Sequence, residues 1–155
     1  LVSSRIDYAN ALLYGSPDSQ LHRLQRLLHT AARIITKSNS TQNISQVLYT
    51  LHWLPVKQRI SYKIILLTYK ALNNIGPTYL HDLLTPLRSE RTLRSSSKNL
   101  LVVPKTNSRT FGDRAFSHSA PVLWNSLPEH IKLAQNINHF KSNLKTWLFK
   151  HAYSF

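Results

Sequence analysis

Five residues of one segment, His22, Arg26, His29, Arg33 and Lys37, recur at steps of three and four, the spacing that lines side chains up along an α-helix. Their chemistry is that of phosphate binding: guanidinium groups bridge anionic oxygens, lysine adds a point charge and histidine a titratable one. At 1.5 Å per residue the row is about 22 Å long, which matches several successive phosphates of a nucleic-acid backbone. Further cations come in three groups: Arg59, Lys63 and Lys70; then Arg88, Arg91, Arg94 and Lys98; then Lys105, Arg109 and Arg114. Contacts of this kind fix position without reading bases, so they imply RNA or DNA as partner, strong salt dependence and little sequence preference. With histidines in the row, binding should strengthen as pH falls from about 7.5 toward 6. An ordinary solvated face is the competing reading, although an acid-free face is unusual for one.

Catalysis is poorly served by the same residues. The six acids, Asp7, Asp18, Asp82, Glu90, Asp113 and Glu129, are scattered, whereas two-metal chemistry needs converging carboxylates and a hydrolase needs a nucleophile, a base and an orienting group. The eight histidines form no HxxxH or HExxH pair. Cysteine is absent, which removes thiolate nucleophiles, disulfides and the usual structural zinc sites together. The three glycines, Gly15, Gly76 and Gly112, cannot build a phosphate cradle. The sequence therefore reads as a non-enzyme with no cofactor and no metal.

Charge points the same way. With 20 Lys and Arg against 6 acids the 155-residue chain carries +14, and a polyanion releases counterions on meeting such a surface. No run approaches the roughly 18 to 20 apolar residues of a membrane span, and no signal peptide opens the chain. It reads as intracellular, in nucleus or cytoplasm, with no membrane partner. Methionine is absent and the chain opens directly on an amphipathic segment, so it reads as a piece of a longer protein.

The elements that must position these cations are helices. Leu51–Asn73 organises the rest: from Pro55 onward, Val56, Ile60, Ile64, Leu67 and Ala71 form one apolar stripe and Tyr62, Ile65, Leu66, Tyr69 and Leu72 another. Arg59, Lys63 and Lys70 make the narrow charged seam between them. Before it, residues 4–14 predict a short helix stopped by Gly15, and Pro17 opens a longer one whose Leu21, Leu24, Leu28, Ala31 and Ile35 face inward. Asn43 caps another through Leu51. Pro77 opens a short helix burying Tyr79, Leu80, Leu83 and Leu84, and Pro86 closes it. Residues 86–99 are a basic, serine-rich loop. Leu100–Val103 is β-prone and is expected to pair with Arg109–Gly112 as a hairpin. The segment after Asp113 predicts a helix carrying Phe116, Val122, Leu123 and Trp124 to the core, starting near Ser119 because of Pro121 and ended by Pro128. A last helix is capped by Asn136 and buries Ile137, Phe140, Leu144, Trp147 and Leu148. The expected fold is mainly α, a helical bundle around a central two-faced helix with a small β-hairpin in its C-terminal half. Its expected regions are 1–85, the loop 86–99 and an α+β part, 100–155.

Several stretches carry a resemblance. SRIDYANALLYGSP, LQRLLHTAARIIT, LHWLPVKQRISYKIILLTYKALN, PTYLHDLLTP, LVVPKT and FGDRAFSHSAPVLWNSLP, in this order, resemble the region after the reverse transcriptase core in jockey-like and related LINE-type non-LTR retrotransposon polyproteins. LHWLPVKQRI and APVLWNSLP are its most specific parts, because helical periodicity explains neither. Ala9 departs from the Cys that the family commonly carries there. The resemblance implies a parent RNA-directed DNA polymerase whose YxDD strand turn and endonuclease lie upstream, and it brings no catalytic residue to this chain. It makes residues 1–85 thumb-like, gripping template and primer, with the upstream polymerase domain as a further partner. A decayed or domesticated remnant serving as a protein-interaction module is the alternative.

Overall fold

In the computed structural model, which describes residues 2–87, 99–108 and 110–153, prolines decide where helices begin. Helix α1 (Val2–Asp7) and a 3₁₀ turn (Asn10–Leu13) are followed by α2 (Asp18–Thr36), α3 (Ile44–Thr50), α4 (Val56–Leu72), α5 (Thr78–Asp82), α6 (Phe116–Asn125), α7 (Glu129–Lys132) and α8 (Ile137–Ala152). Helices α2, α4, α5 and α7 each start one residue after a proline. The ring fixes φ near −60° while ψ stays extended, near 140°, at Pro17, Pro77 and Pro128. That geometry aims the proline carbonyl at the new helix: Leu21 N–H donates to Pro17 at 3.3 Å and Arg59 N–H to Pro55 at 3.0 Å. The sequence places Pro17, Pro55 and Pro77 inside the first turn and reads Pro128 only as the end of the helix before it; the structure makes all four the residue before a helix.

The chain is mainly helical and divides into two compact units, Leu1–Tyr62 with Lys145–Phe155, and Lys63–Leu144. In the first unit α2 packs on α1 and α3, and Leu21, Leu28, Ala32, Leu48, Val56 and Ile60 are buried. The single helix expected over residues 4–14 is instead α1 and the 3₁₀ turn, because Ala9 turns left-handed at φ 49° and breaks the ladder between them. Asn43 caps α3 as expected, its Oδ1 accepting from Ser45 N–H at 3.0 Å. The end of α8 closes this unit through rings: Phe149 lies 5.2 Å from Tyr49 and 4.8 Å from Tyr153. Tyr153 O–H donates to the Trp53 carbonyl at 2.6 Å.

The second unit is organised by an aromatic stack. Tyr69 of α4 lies 4.0 Å from Phe140 of α8 at an interplanar angle of 19°, and Trp124 of α6 stacks on the same Phe140. The polar ends of both rings are satisfied: Tyr69 O–H donates to Ala134 and Trp124 Nε1–H to Asn99, each at 2.8 Å. Asn136 caps α8, accepting from His139 N–H at 2.8 Å. Helix α7, too short to show a period, is not among the sequence expectations; it buries Ile131.

Three expectations for this unit are corrected. No strand occurs among the described residues, and the hairpin of Leu100–Val103 with Arg109–Gly112 is not formed. Leu101 makes one antiparallel bridge, to Pro86, closed by Leu87 N–H to Leu100 at 2.9 Å and Val102 N–H to Thr85 at 2.8 Å. Its other edge is taken by a side chain: Asn125 accepts from Leu101 N–H at 2.9 Å and donates to Leu101 O at 2.8 Å. Leu101 thus has no edge left for residues 110–112, which turn tightly enough that a Cβ on Gly112 would sit 2.7 Å from the Ser108 carbonyl oxygen. Helix α6 starts at Phe116 rather than Ser119 and carries Pro121 inside it. The missing N–H deprives only Ser117, in the first turn, of its i+4 donor, so the helix survives. Tyr79, Leu83 and Val122, expected inside, are exposed. Five residues of α5 bury a single line, represented by Leu80, with Leu84 just beyond the helix.

Candidate nucleic-acid interface

The α2 row begins with His22 and Arg26, both exposed, continues through His29 and Arg33, both half-buried, and ends at exposed Lys37. Lys37 is the left-handed terminator of the helix, at φ 53°, with its own N–H and that of Ser38 both donating to Arg33 O. Its side chain therefore leaves the helical line, and the straight part of the row runs from His22 to Arg33. Arg33 reaches the Gln42 carbonyl at 3.5 Å, which points its guanidinium along the loop after α2.

His29 differs from the rest. Its Nε2 lies 2.7 Å from Gln25 Nε2, and Gln25 Oε1 in turn accepts the first N–H of α4, from Val56, at 2.8 Å. Burial, and then the Arg33 charge, push the His29 imidazole below its ordinary value. It stays neutral where an exposed histidine begins to charge, so the expected gain in affinity toward pH 6 does not come from His29.

Four of the acids have partners away from this row. Asp18, at the start of α2, pairs with Lys57 at 2.7 Å, and that hydrogen bond and charge hold its carboxyl below the usual range. Asp7 accepts two bonds from Arg59 Nη1, one on each carboxylate oxygen, at 2.9 and 3.1 Å. Asp82 lies 3.6 Å from His81; Asp113 accepts from the Thr106 hydroxyl, with His118 at 3.9 Å. Among the described residues no ion pair reaches Arg26, Arg33 or Lys37.

The other expected cations fare differently. Arg59 belongs to the first unit, and its side chain is only 12% exposed, with Nε–H donating to Leu54 O at 2.7 Å; it is bound into the fold. Lys63, exposed, and Lys70, half-buried, belong to the second unit, as do exposed Lys105 and half-buried Arg114. Arg88, Arg91, Arg94, Lys98 and Arg109 lie outside the described residues.

Sequence reasoning passed over Arg23, which is exposed on α2 beside the row. Its signal was available: Arg23 is three residues before Arg26, one turn back on the same solvent side. Two clefts lie in the first unit. One, of about 260 Å³, lies between Asp18, His22, Gln25 and Lys57; the other, of about 410 Å³, is lined by neutral Thr36, Ser38, Gln42, Asn43, Gln46 and Thr50 with Val47. Among the described residues no three His, Cys, Asp or Glu side chains gather as metal ligands, and no helix is long and apolar enough to cross a membrane. Comparison with family models, with characterised proteins and with solved structures gives no match.

Proposed function

We propose that this chain is a non-catalytic module that holds RNA or DNA by its backbone, the part of a non-LTR retrotransposon reverse transcriptase that follows the polymerase core. The observation that carries this reading is the isolation of the α2 row. Among the described residues Arg26, Arg33 and Lys37 have no ion-pair partner, while the acids nearest in sequence, Asp7 and Asp18, pair with α4 cations instead. A row of unneutralised cations, on a chain with an excess of +14, favours a polyanion over a neutral partner. The upstream polymerase domain is the second partner of this reading; it would contribute the metal-binding aspartates that this chain lacks.

The test is the double substitution Arg26→Gln/Arg33→Gln. Glutamine keeps helix propensity, so stability should hold within about 0.5 kcal/mol. The slope of log K against log salt for a single-stranded or duplex oligonucleotide should become shallower by roughly 1.4 to 1.8 units. An unchanged slope in a folded double variant returns the row to a solvated face.

A further inference from the structure

The basic row does not account for the surface next to it. Leu24, Leu27, Ala31 and Ile34 follow one another at steps of three, four and three, the spacing of a coiled-coil seam, with Ala31 buried, Leu24 half-buried and Leu27 and Ile34 at the surface. Leu27 is 59% exposed and Ile34 71%, and Ile35, expected to face inward, is 59% exposed. Helix α2 therefore has more apolar surface than its own unit covers. The uncovered part lies on the C-terminal half of the helix, bordered by Arg23, Thr30, Arg26 and Arg33 and by no acid. A phosphodiester backbone gains nothing from aliphatic side chains, and bases stack on aromatic rings, of which α2 carries only His22 and His29, both on the basic row and not on this ridge.

We infer that this ridge is a docking surface for an acidic amphipathic helix of a protein partner. An α-helix with its own three-four apolar seam is the shape that interdigitates with Leu27 and Ile34. Charge decides which helix. The flank that chooses partners in such a packing carries Arg23, Arg26 and Arg33 with neutral Thr30 and no acid of α2, so it selects acids opposite. The same argument excludes a second copy, because pairing two α2 ridges sets arginines against arginines on chains that each carry +14. The ridge is separate from the phosphate-binding reading and stands without it.

The probe is a fluorescent synthetic peptide of about three heptads with Leu at the two seam positions and Glu on the flanks. Two companions accompany it: one with Lys for every Glu, one with Ser for every Leu. Wild-type chain should bind the acidic Leu peptide at least about tenfold more tightly than either companion, because both charge and buried aliphatic area are required. Leu27→Ser/Ile34→Ser, checked for helix content, should lower that affinity at least about tenfold and leave oligonucleotide binding within about twofold. Equal binding of the Ser peptide would reduce the effect to charge and overturn the inference. So would a folded Leu27→Ser/Ile34→Ser chain that binds the Leu peptide as wild type does. A wild-type chain that sediments as a dimer, made monomeric by the same substitutions, would assign the ridge to a second copy instead.

Discussion

Arg59 on α4 and Arg33 on α2 are arginines of the same unit, each on a helix with cations on one side, and they end in different chemistry. Arg59 is folded under: its guanidinium spans the Leu54 carbonyl and the Asp7 carboxylate. Arg33, among the described residues, meets a neutral carbonyl at 3.5 Å and no acid. The difference lies in which acid reaches which helix. Asp7, at the end of α1, and Asp18, at the start of α2, both turn to α4 and satisfy Arg59 and Lys57. Among the described residues Arg26, Arg33 and Lys37 of the α2 row are left without an acid, so a seam and a row of similar composition become a structural clamp and an unpaired basic surface.

Substituting one arginine at a time separates the two. Arg59→Gln should cost on the order of 2 to 3 kcal/mol in urea unfolding, since it removes charge-assisted bonds from a guanidinium that is mostly buried. Arg26→Gln should stay within about 0.5 kcal/mol, and the reverse order would collapse the distinction. Oligonucleotide binding, measured per folded molecule, should show the opposite ranking, with Arg59→Gln leaving the salt slope intact. A smaller effect concerns His29. Its folded value lies below its unfolded one, so the unfolded chain takes up the proton first. Its contribution to stability is whole above about pH 6.5 and declines as pH falls through that value, levelling off below the folded one. Urea midpoints between pH 7.5 and 5.5 should therefore fall less in His29→Gln than in wild type.

The smallest expected effect tests Arg59 from a distance. Burial pushes the Tyr153 hydroxyl up to about 12, and the Arg59 charge works against that rise. A raised tyrosine contributes stability that is whole below its ordinary value of about 10 and lost as pH climbs toward the folded value. Arg59→Gln should move the phenolate absorbance step of Tyr153 still higher, and Arg26→Gln should leave it in place. A shift with Arg26→Gln would mean that the α2 charge is not confined to its own face.

What the sequence made legible is what local rules govern. Asn43 and Asn136 announce caps three residues or fewer from the groups they bind, and both are caps. The two stripes of α4 need only a period of 3.6, and Val56, Ile60, Ile64, Ile65, Tyr69 and Ala71 are buried. Pro17, Pro55 and Pro77 marked helix starts to within one residue, whereas Pro121 misplaced the start of α6 and Pro128 was read only as an end. What was hidden depends on partners far along the chain. Asn125 reaches back 24 residues to Leu101, and no periodicity in Leu100–Val103 foretells that its neighbour is a side chain. Ile35 keeps the spacing of Leu21 and Leu28, yet whether the stripe is covered at that end depends on what α1 and α3 leave open. In the candidate site the row itself was readable; the loss of Arg59 to the fold and the neutrality of His29 were not, since each rests on a through-space neighbour.

The Asn125 amide has a consequence for the chain's behaviour in company. Leu100–Val103 is the kind of short, uncharged, β-branched segment that recruits identical segments from other molecules once its main chain is bare. Here the bridge to Pro86 shields one side of Leu101, and a single carboxamide occupies the other as a strand would, but cannot be extended by a further strand. Asn125 thus covers an open main-chain edge as well as tethering it, and a chain that lost it would bare the Leu101 N–H and C=O on that side.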